Sequence, residues 1–417
     1  MRDRFFVAAV VCLLCVLLSG YAYVSVTGHS FSRINFGLGP IEPAGASPFV
    51  DRAIENRVLR GWAQGQPQAR LKNFLRDEFL GFDRALLGYS GAVSKTNAWF
   101  YATFLPRQAI IPVGVDTGNA FQDPAADTIV TVLLGNAASL DRVPGQVADA
   151  KRLISQFPNV NFTYYGVSEW TMTKPAVEAG YSDPTREAWP TFTSGLRGSA
   201  VTGLFNADDW DTNFFATDHH WNPVGQYQGY LDVMELLARR NPRVGTERLP
   251  FSETTVAGID FRGAAARKAA YYRMSEPFRF LTGRDPELRA YLNGRRLNRL
   301  ITPVSLLKKP KNARFAMQYA IYNGQDYPLI EYRKAAPGAG NLLILADSFS
   351  NSMEDLVASH YQNTYSVDLR HYQPETGRPF DIAAFIAEHD ITDVLIMGRP
   401  ARVLTVPNAL LTGRPIR

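Results

Sequence analysis

Cysteine is almost missing from this chain of 417 residues: Cys12 and Cys15 are its only two, and both fall in one apolar stretch near the N-terminus. Everything after that stretch lacks a thiol, which excludes disulfides and cysteine-based metal sites there. Charge of one sign is also lacking. Lys plus Arg number 44 against 39 Asp plus Glu, a net +5, and setting aside Arg2, Asp3 and Arg4 leaves +4. So mild an excess over a large surface gives no argument for nucleic-acid binding. No repeat of fixed period occurs, and no low-complexity tract beyond one short tether. A hydrophobic content of 46% with 20% charged residues describes a globular chain, long enough for one large domain or two ordinary ones.

Long apolar runs are missing too, with one exception. Residues 5–26 carry no charge and follow Met-Arg-Asp-Arg. At ~1.5 Å per residue they would span roughly 33 Å as a helix, enough to cross a bilayer. A cleaved signal peptide has a shorter apolar core and a small-x-small site, from which Ala22-Tyr23-Val24 departs. An uncleaved anchor is therefore the expectation. Arg2 and Arg4 precede the span and no Lys or Arg follows before Arg33, which places the N-terminus in the cytoplasm and the rest outside. In a bacterium that means a single-pass inner-membrane protein with a periplasmic main domain. The expected division is a cytoplasmic tip and anchor over 1–27, a Gly/Pro/Ser-rich tether over 28–50 and one extracytoplasmic domain over 51–417.

Within that domain, residues 51–82 show helical spacing and residues 97–104 alternate like a strand. From 127 onward strands and helices alternate. Residues 128–134, 160–165, 342–346, 364–367 and 394–397 read as strands; 144–157, 224–240, 351–360 and 381–389 read as helices. That rhythm predicts βαβ units around a parallel sheet, an α/β fold. Residues 241–340, rich in Arg, Pro and Gly, read as a loop-rich insertion that also holds short strands. After Met397 only a short tail is expected.

Two segments carry the chemistry. One is Asp218-His219-His220-Trp221, just before the 224–240 helix. Read as extended chain, Asp218 and His220 project to one side, so Asp218 could hold Nδ1 of His220 while Nε2 faces a nucleophile, and His219 points away. The other is Asp347-Ser348-Phe349, at the carboxyl end of an apolar strand and before a helix N-terminus, where open α/β sheets bind ligands. Ser348 is either a nucleophile there or a cap for the helix. Asp347 reads as structural. Asn351 is an oxyanion donor or a helix-surface residue. Arg370 ends the 364–367 strand and either clamps a substrate carboxylate or pairs with Asp368 or another acid. Trp221 is core, a wall of the site, or a sugar-stacking platform. His360, His371 and His389 read as surface or edge residues. No metal is expected at Asp218, His219 and His220, since the two imidazoles diverge in extended chain and no further motif completes a shell.

The blocks TDHHWN, LLILADSFSN and SVDLRHY resemble the DHHW family of membrane-anchored bacterial proteins, itself similar to the SGNH-type O-acetyltransferases of alginate biosynthesis. The likeness covers most of 85–400 in layout and is specific at those three segments. It implies an SGNH hydrolase-like, flavodoxin-like parallel sheet flanked by helices. It makes Asp218 the orienting acid, His220 the base and Ser348 the nucleophile, the Asp-x-His segment preceding the serine as in those enzymes. The Gly-Asp-Ser block appears here as Ala346-Asp347-Ser348. The activity implied is O-acetylation of a cell-surface or exported polysaccharide. A membrane-bound O-acyltransferase partner would supply acyl groups, and no cofactor is required. The alternatives are an esterase using the same residues and a non-catalytic glycan-binding or assembly protein. Basic clusters at Arg295-Arg296-Arg299 and Lys308-Lys309-Lys311-Arg314 are solvated loops or a cationic rim that steers an acidic polymer.

Overall fold

The computed structural model describes residues 92, 95, 111–112, 120–123, 128–131, 140–178, 183–206, 209–268, 274–282, 285–297, 318–322, 326–335 and 338–414. Contacts divide the chain into the compact units Met1–Val93 and Ser94–Arg417, and the fold below is that of the second. The expected membrane span, the tether, the helices of 51–82 and the strand of 97–104 lie outside the described residues. Among the described residues no helix is long and apolar enough to cross a membrane.

Leu342, Leu343, Ile344 and Leu345 are all buried, Leu342 and Ile344 in one core cluster and Leu343 and Leu345 in another. A strand covered on both faces needs an apolar side chain at every position, which is why this run does not alternate. The chain builds that two-sided sheet in the following order. A three-stranded antiparallel sheet comes first: β1 (Ile111–Pro112), β2 (Ala120–Asp123) and β3 (Thr128–Thr131). Then α1 (Val143–Ser155) leads to β4 (Asn161–Val167), α2 (Thr185–Gly195) to β5 (Val201–Phe205), and α3 (Pro223–Ala238) follows. β6 (Glu253–Phe261) and β7 (Glu276–Leu281) pair antiparallel by themselves. β8 (Leu288–Leu292), β9 (Arg295–Leu297), β10 (Leu329–Lys334), β11 (Asn341–Ala346), α4 (Glu354–Ala358) and β12 (Asn363–Val367) come next. The chain closes with α5 (Leu369–Thr376), α6 (Ile382–Glu388), β13 (Ile391–Gly398), α7 (Pro400–Val403) and α8 (Val406–Thr412).

The main sheet has eight strands in the order β5-β4-β13-β11-β12-β10-β8-β9. Its first five are parallel and its last three antiparallel. α3 and α4 cover one face through Tyr230, Val233, Met234, Leu237, Leu356 and Val357. α1, α2, α6 and the C-terminal helices cover the other through Leu153, Trp189, Phe192, Phe385 and Val403. The α/β class and the parallel centre match expectation, and four departures do not. Among the described residues, 128–131 pair with β2 in the small sheet and are no strand of the main one. The 241–340 region is not an insertion apart from the sheet, because its short strands β8, β9 and β10 lengthen the main sheet. β10 hides Ile330 and Tyr332 on one face while Arg333 is exposed, a half-buried antiparallel pattern easily lost in an Arg-rich stretch. The helix expected over 351–360 is the short α4, because residues 347–353 are spent on a turn. After Met397 the chain is no tail: α7 and α8 bury Val403, Leu404 and Val406. Arg295 and Arg296 are exposed on β9, and the second basic cluster lies outside the described residues.

α3 runs unusually close to its neighbours. A Cβ on Gly229 would meet the Trp221 ring at 2.5 Å, and one on Gly225 would meet the Asn213 carbonyl oxygen at 2.2 Å. Glycine costs a helix interior ~1 kcal/mol, so its presence here marks contact. Gly229→Ala should destabilise the fold by about 1–3 kcal/mol despite the better helix former. Urea unfolding would measure it, and an unchanged midpoint would contradict the packing described.

His360 is half-buried beyond α4, its Nε2 2.7 Å from the Tyr230 hydroxyl. Burial, with Arg248 and Lys334 nearby, pushes its pKa down from the ordinary 6.5 to about 4. The unfolded chain therefore binds a proton in a window where the folded chain does not, and stability present above pH 6.5 is lost as pH falls towards 4. Wild-type protein should lose on the order of 2 kcal/mol more than His360→Gln between neutral pH and about pH 4.5. Parallel loss in the two proteins, by urea titration at both pH values, would refute this.

Candidate active site

Phe214 and Trp221 form an antiparallel bridge, and the Phe215 N–H donates to the His220 carbonyl at 3.1 Å. The Asp218-His219-His220 segment is thus a tight loop closed at its base, not the extended chain that its spacing suggests. Asn222 locks the exit: its side chain accepts from the Val224 and Gly225 N–H groups, capping α3, and donates to the carbonyls of Thr212 and Phe214. Pro223 follows at the first helical turn, where a missing N–H costs nothing. Glu276 of β7 holds the entry, accepting from the Ala216 N–H, the Thr217 N–H and the Thr217 hydroxyl.

Asp218 is 1% exposed on its side chain. Its Oδ1 accepts from the His220 ring Nδ1 at 2.7 Å and the His220 backbone N–H at 3.1 Å, while Oδ2 accepts from the Ala264 N–H at 2.6 Å. Burial alone would push this carboxyl up. The His220 charge and hydrogen bond, His219 and the Ala264 N–H outweigh it and hold the group well below the ordinary carboxylate range. His220 Nε2 lies 2.9 Å from the Ser348 hydroxyl. Asp218 and His220, two residues apart, and the remote Ser348 therefore stand in one hydrogen-bonded series.

Ser348 sits in the turn after β11, at the carboxyl edge of the parallel strands. Asp347 builds that turn. Its carbonyl accepts from the Ser350 N–H and hydroxyl, and its buried carboxylate accepts from the Phe349 and Arg399 N–H groups and meets Arg402. Gly398 has φ of 139°, and a Cβ there would lie 2.7 Å from the Asp347 carboxylate, so glycine is required twice over. Glu354 backs the turn by bonding Ser350, Ser366 and Tyr332. Burial pushes its carboxyl up.

The remaining site candidates sort differently. Trp221 is 0% exposed. Its indole N–H donates to the Phe349 carbonyl and the Ser352 hydroxyl, so it is a core strut and neither wall nor sugar platform. Asn351 is half-buried and donates to Asp326 at 2.6 Å, with one further N–H on the same amide. Arg370 does not end a strand. Asp368 caps α5, and Arg370 in its first turn pairs with Asp368 and Asp326. His219 does not point away: its Nδ1 is 3.2 Å from Asp218, and its ring centroid is 4.0 Å from that of His220. One ring nitrogen each from His219 and His220 and one carboxylate oxygen of Asp218 lie within 4.8 Å of one another, so the imidazoles do not diverge as expected. Asp326, Asp368 and His371 form a similar group, with Arg370 bonded to both carboxylates. His371 is part-exposed, and His389 packs on Tyr365 and Phe385.

Sequence reading missed three contributors. Ala264, Gly263 and Tyr319 all come from the stretch taken for an insertion, and none lies in a motif that could have revealed it. A Cβ on Gly263 would lie 2.2 Å from that of Asp218. Tyr319 stacks on His220 at 4.0 Å with an 11° tilt.

No family model matches the chain, and no curated protein does. Solved structures do. Bacillus cereus PatB1 with a sulfonyl adduct is 18% identical, with TM-score 0.53, over 68% of this chain and 97% of that one. PatB1 in a second structure is 17% identical, with TM-score 0.52, over 66% and 95%. A DHHW family protein from Eubacterium siraeum DSM 15702 is 16% identical, with TM-score 0.53, over 74% and 97%. The likeness to a DHHW protein, expected from three short motifs, is thus found in the fold.

Gly263→Ala should push Asp218 off its Ala264 and His220 partners and slow any reaction of Ser348 by at least about tenfold. Second-order labelling of Ser348 with a sulfonyl fluoride would measure it, alongside a melting curve. An unchanged rate in folded variant protein would contradict the contact.

Proposed function

We propose that the chain is an extracytoplasmic O-acyltransferase that moves an acetyl group onto a polysaccharide hydroxyl through an acyl-serine at Ser348. The observation that carries this reading is the Asp218–His220–Ser348 series, with 2.7 and 2.9 Å steps. The sequence resemblance to SGNH-type O-acetyltransferases supplies the acyl class. A sulfonyl adduct on the similarly folded PatB1 agrees, since sulfonyl electrophiles react with activated nucleophiles.

The Ser348 oxygen attacks the carbonyl carbon of an acyl ester as His220 Nε2 takes its proton. The bond to the donor oxygen breaks, and His220 returns the proton to that leaving oxygen. A sugar hydroxyl then attacks the acyl-serine, gives its proton to His220, and Ser348 leaves and recovers it. Asp218 keeps the imidazole in the tautomer that presents a bare Nε2 to the serine. The backbone N–H of Ser348 and the second amide N–H of Asn351 are the candidate oxyanion donors. Residues 5–26 anchor the protein in the inner membrane, with the domain in the periplasm. No acetyl-CoA is available there, so a membrane-bound O-acyltransferase brings the acyl group across.

Purified protein should transfer acetyl from p-nitrophenyl acetate to a short oligosaccharide, read by mass spectrometry. Ser348→Ala should lower transfer by at least about a thousandfold. Acetate release unaffected by acceptor would make the protein an esterase instead. Equal behaviour of wild type and Ser348→Ala would leave a non-catalytic glycan-binding protein.

A further inference from the structure

Tyr319 lies in a short 3-10 turn, Gln318–Ile321, remote in sequence from both motifs. It is 6% exposed. Its ring lies nearly parallel to the His220 imidazole, with 4.0 Å between centroids. Parallel stacking at that distance puts π density directly on the face of the base.

The ring is held there by construction. Tyr322, one turn on, meets Tyr319 edge-on at 5.2 Å. The Tyr322 hydroxyl donates to Gln226 Oε1 at 2.8 Å and accepts from the Leu281 N–H at 3.2 Å. Gln226 in turn donates from Nε2 to the Trp221 carbonyl at 2.8 Å. The helix that follows the His220 loop thus also sets the ring above it. Burial pushes the Tyr319 phenol well above its ordinary value, so the ring carries no charge of its own.

When Ser348 gives up its proton, His220 becomes an imidazolium. The face of a neutral aromatic ring is the negative end of its quadrupole and attracts a cation, most strongly where water is excluded. Among the described residues, Phe349 at 5.1 Å and His219 at 4.0 Å also border the imidazole, and the Asp218 carboxylate is in contact with it. Asp218 acts in the plane of the imidazole, through Nδ1. Tyr319 acts on its face.

We infer that Tyr319 is a positioning residue for acyl transfer, whose π face holds the His220 ring and favours its charged form in the transition state. The inference rests on the reading of His220 as base and Ser348 as nucleophile. A purely steric role would depend on ring shape alone, whereas this one depends on ring electrons. Ring-fluorinated phenylalanines at position 319 keep the shape and drain the π face. The test is the second-order rate of Ser348 labelling by phenylmethylsulfonyl fluoride, with the labelled peptide identified by mass spectrometry.

Tyr319→Leu should slow labelling by roughly tenfold, and Tyr319→Phe should restore most of the rate. Successive fluorination should lower it again, step by step. Rates indifferent to fluorination would overturn the inference while leaving the assignment of Ser348 intact. A Tyr319→Phe rate as low as that of Tyr319→Leu would overturn it too, since the hydroxyl would then be what matters. Wild-type protein that takes no label at Ser348 would bring down the assignment of the site and this inference with it.

Discussion

A carboxylate removed from water is tolerable only where other donors replace the water, and the loop that carries Asp218 is built around that requirement. Two N–H groups and an imidazole converge on its oxygens, one of those N–H groups, that of Ala264, from a segment more than forty residues away. The same demand shapes the neighbours. Gly263 is glycine because Asp218 occupies the space its side chain would need. Thr217 donates its N–H and hydroxyl to Glu276, and its carbonyl accepts from the Ala266 N–H. The Ile129 N–H donates to the Ala216 carbonyl at 2.7 Å, which ties the small sheet to the same loop. The charge is stabilised by backbone geometry, and that geometry fixes where the imidazole points.

Ser348 is brought to the imidazole by different physics. Parallel strands buried on both faces end together, so the segments leaving β4, β11, β12 and β13 crowd one edge of the sheet. That edge gathers Glu169, Ser348, Asp368 and Arg399. Asp347 knits it by reaching from the turn after β11 to the Arg399 N–H and the Arg402 side chain. Glu169 pairs with Arg399 beside it, and burial pushes the Glu169 carboxyl up. The turn that presents the serine is thus held mainly by an acid that never faces it.

Trp221 joins these two constructions. It has no solvent exposure, packs on Phe205 and Phe349, and donates to the backbone of the serine turn. Gly225 and Gly229 let α3 settle against it and its neighbours. The residue that ends the histidine motif therefore braces the loop of the base against the turn of the hydroxyl. Its motif position invited a role in binding sugars, and its burial gives it a mechanical one.

The two-sided sheet was legible in the sequence, because the short apolar run of β11 lies in a chain where strand and helix patterns alternate. Local signals, a strand end and a two-residue spacing, offered the serine, the histidine and the aspartate as candidates, and only the resemblance of the motifs joined them into one triad. The spacing gave the right partner for the wrong reason, since a hydrogen-bonded loop and not extended chain turns His220 towards Asp218. Folding alone brings Asp326 to Arg370 beside the neighbouring Asp368, adds three strands of the Arg-rich middle region to the main sheet, and carries Ala264 and Tyr319 to the site. These depend on contacts between segments tens of residues apart, about a hundred in the case of Tyr319 and His220. No local pattern encodes such contacts, because the energy that selects them comes from burial and hydrogen bonding between surfaces that exist only after folding.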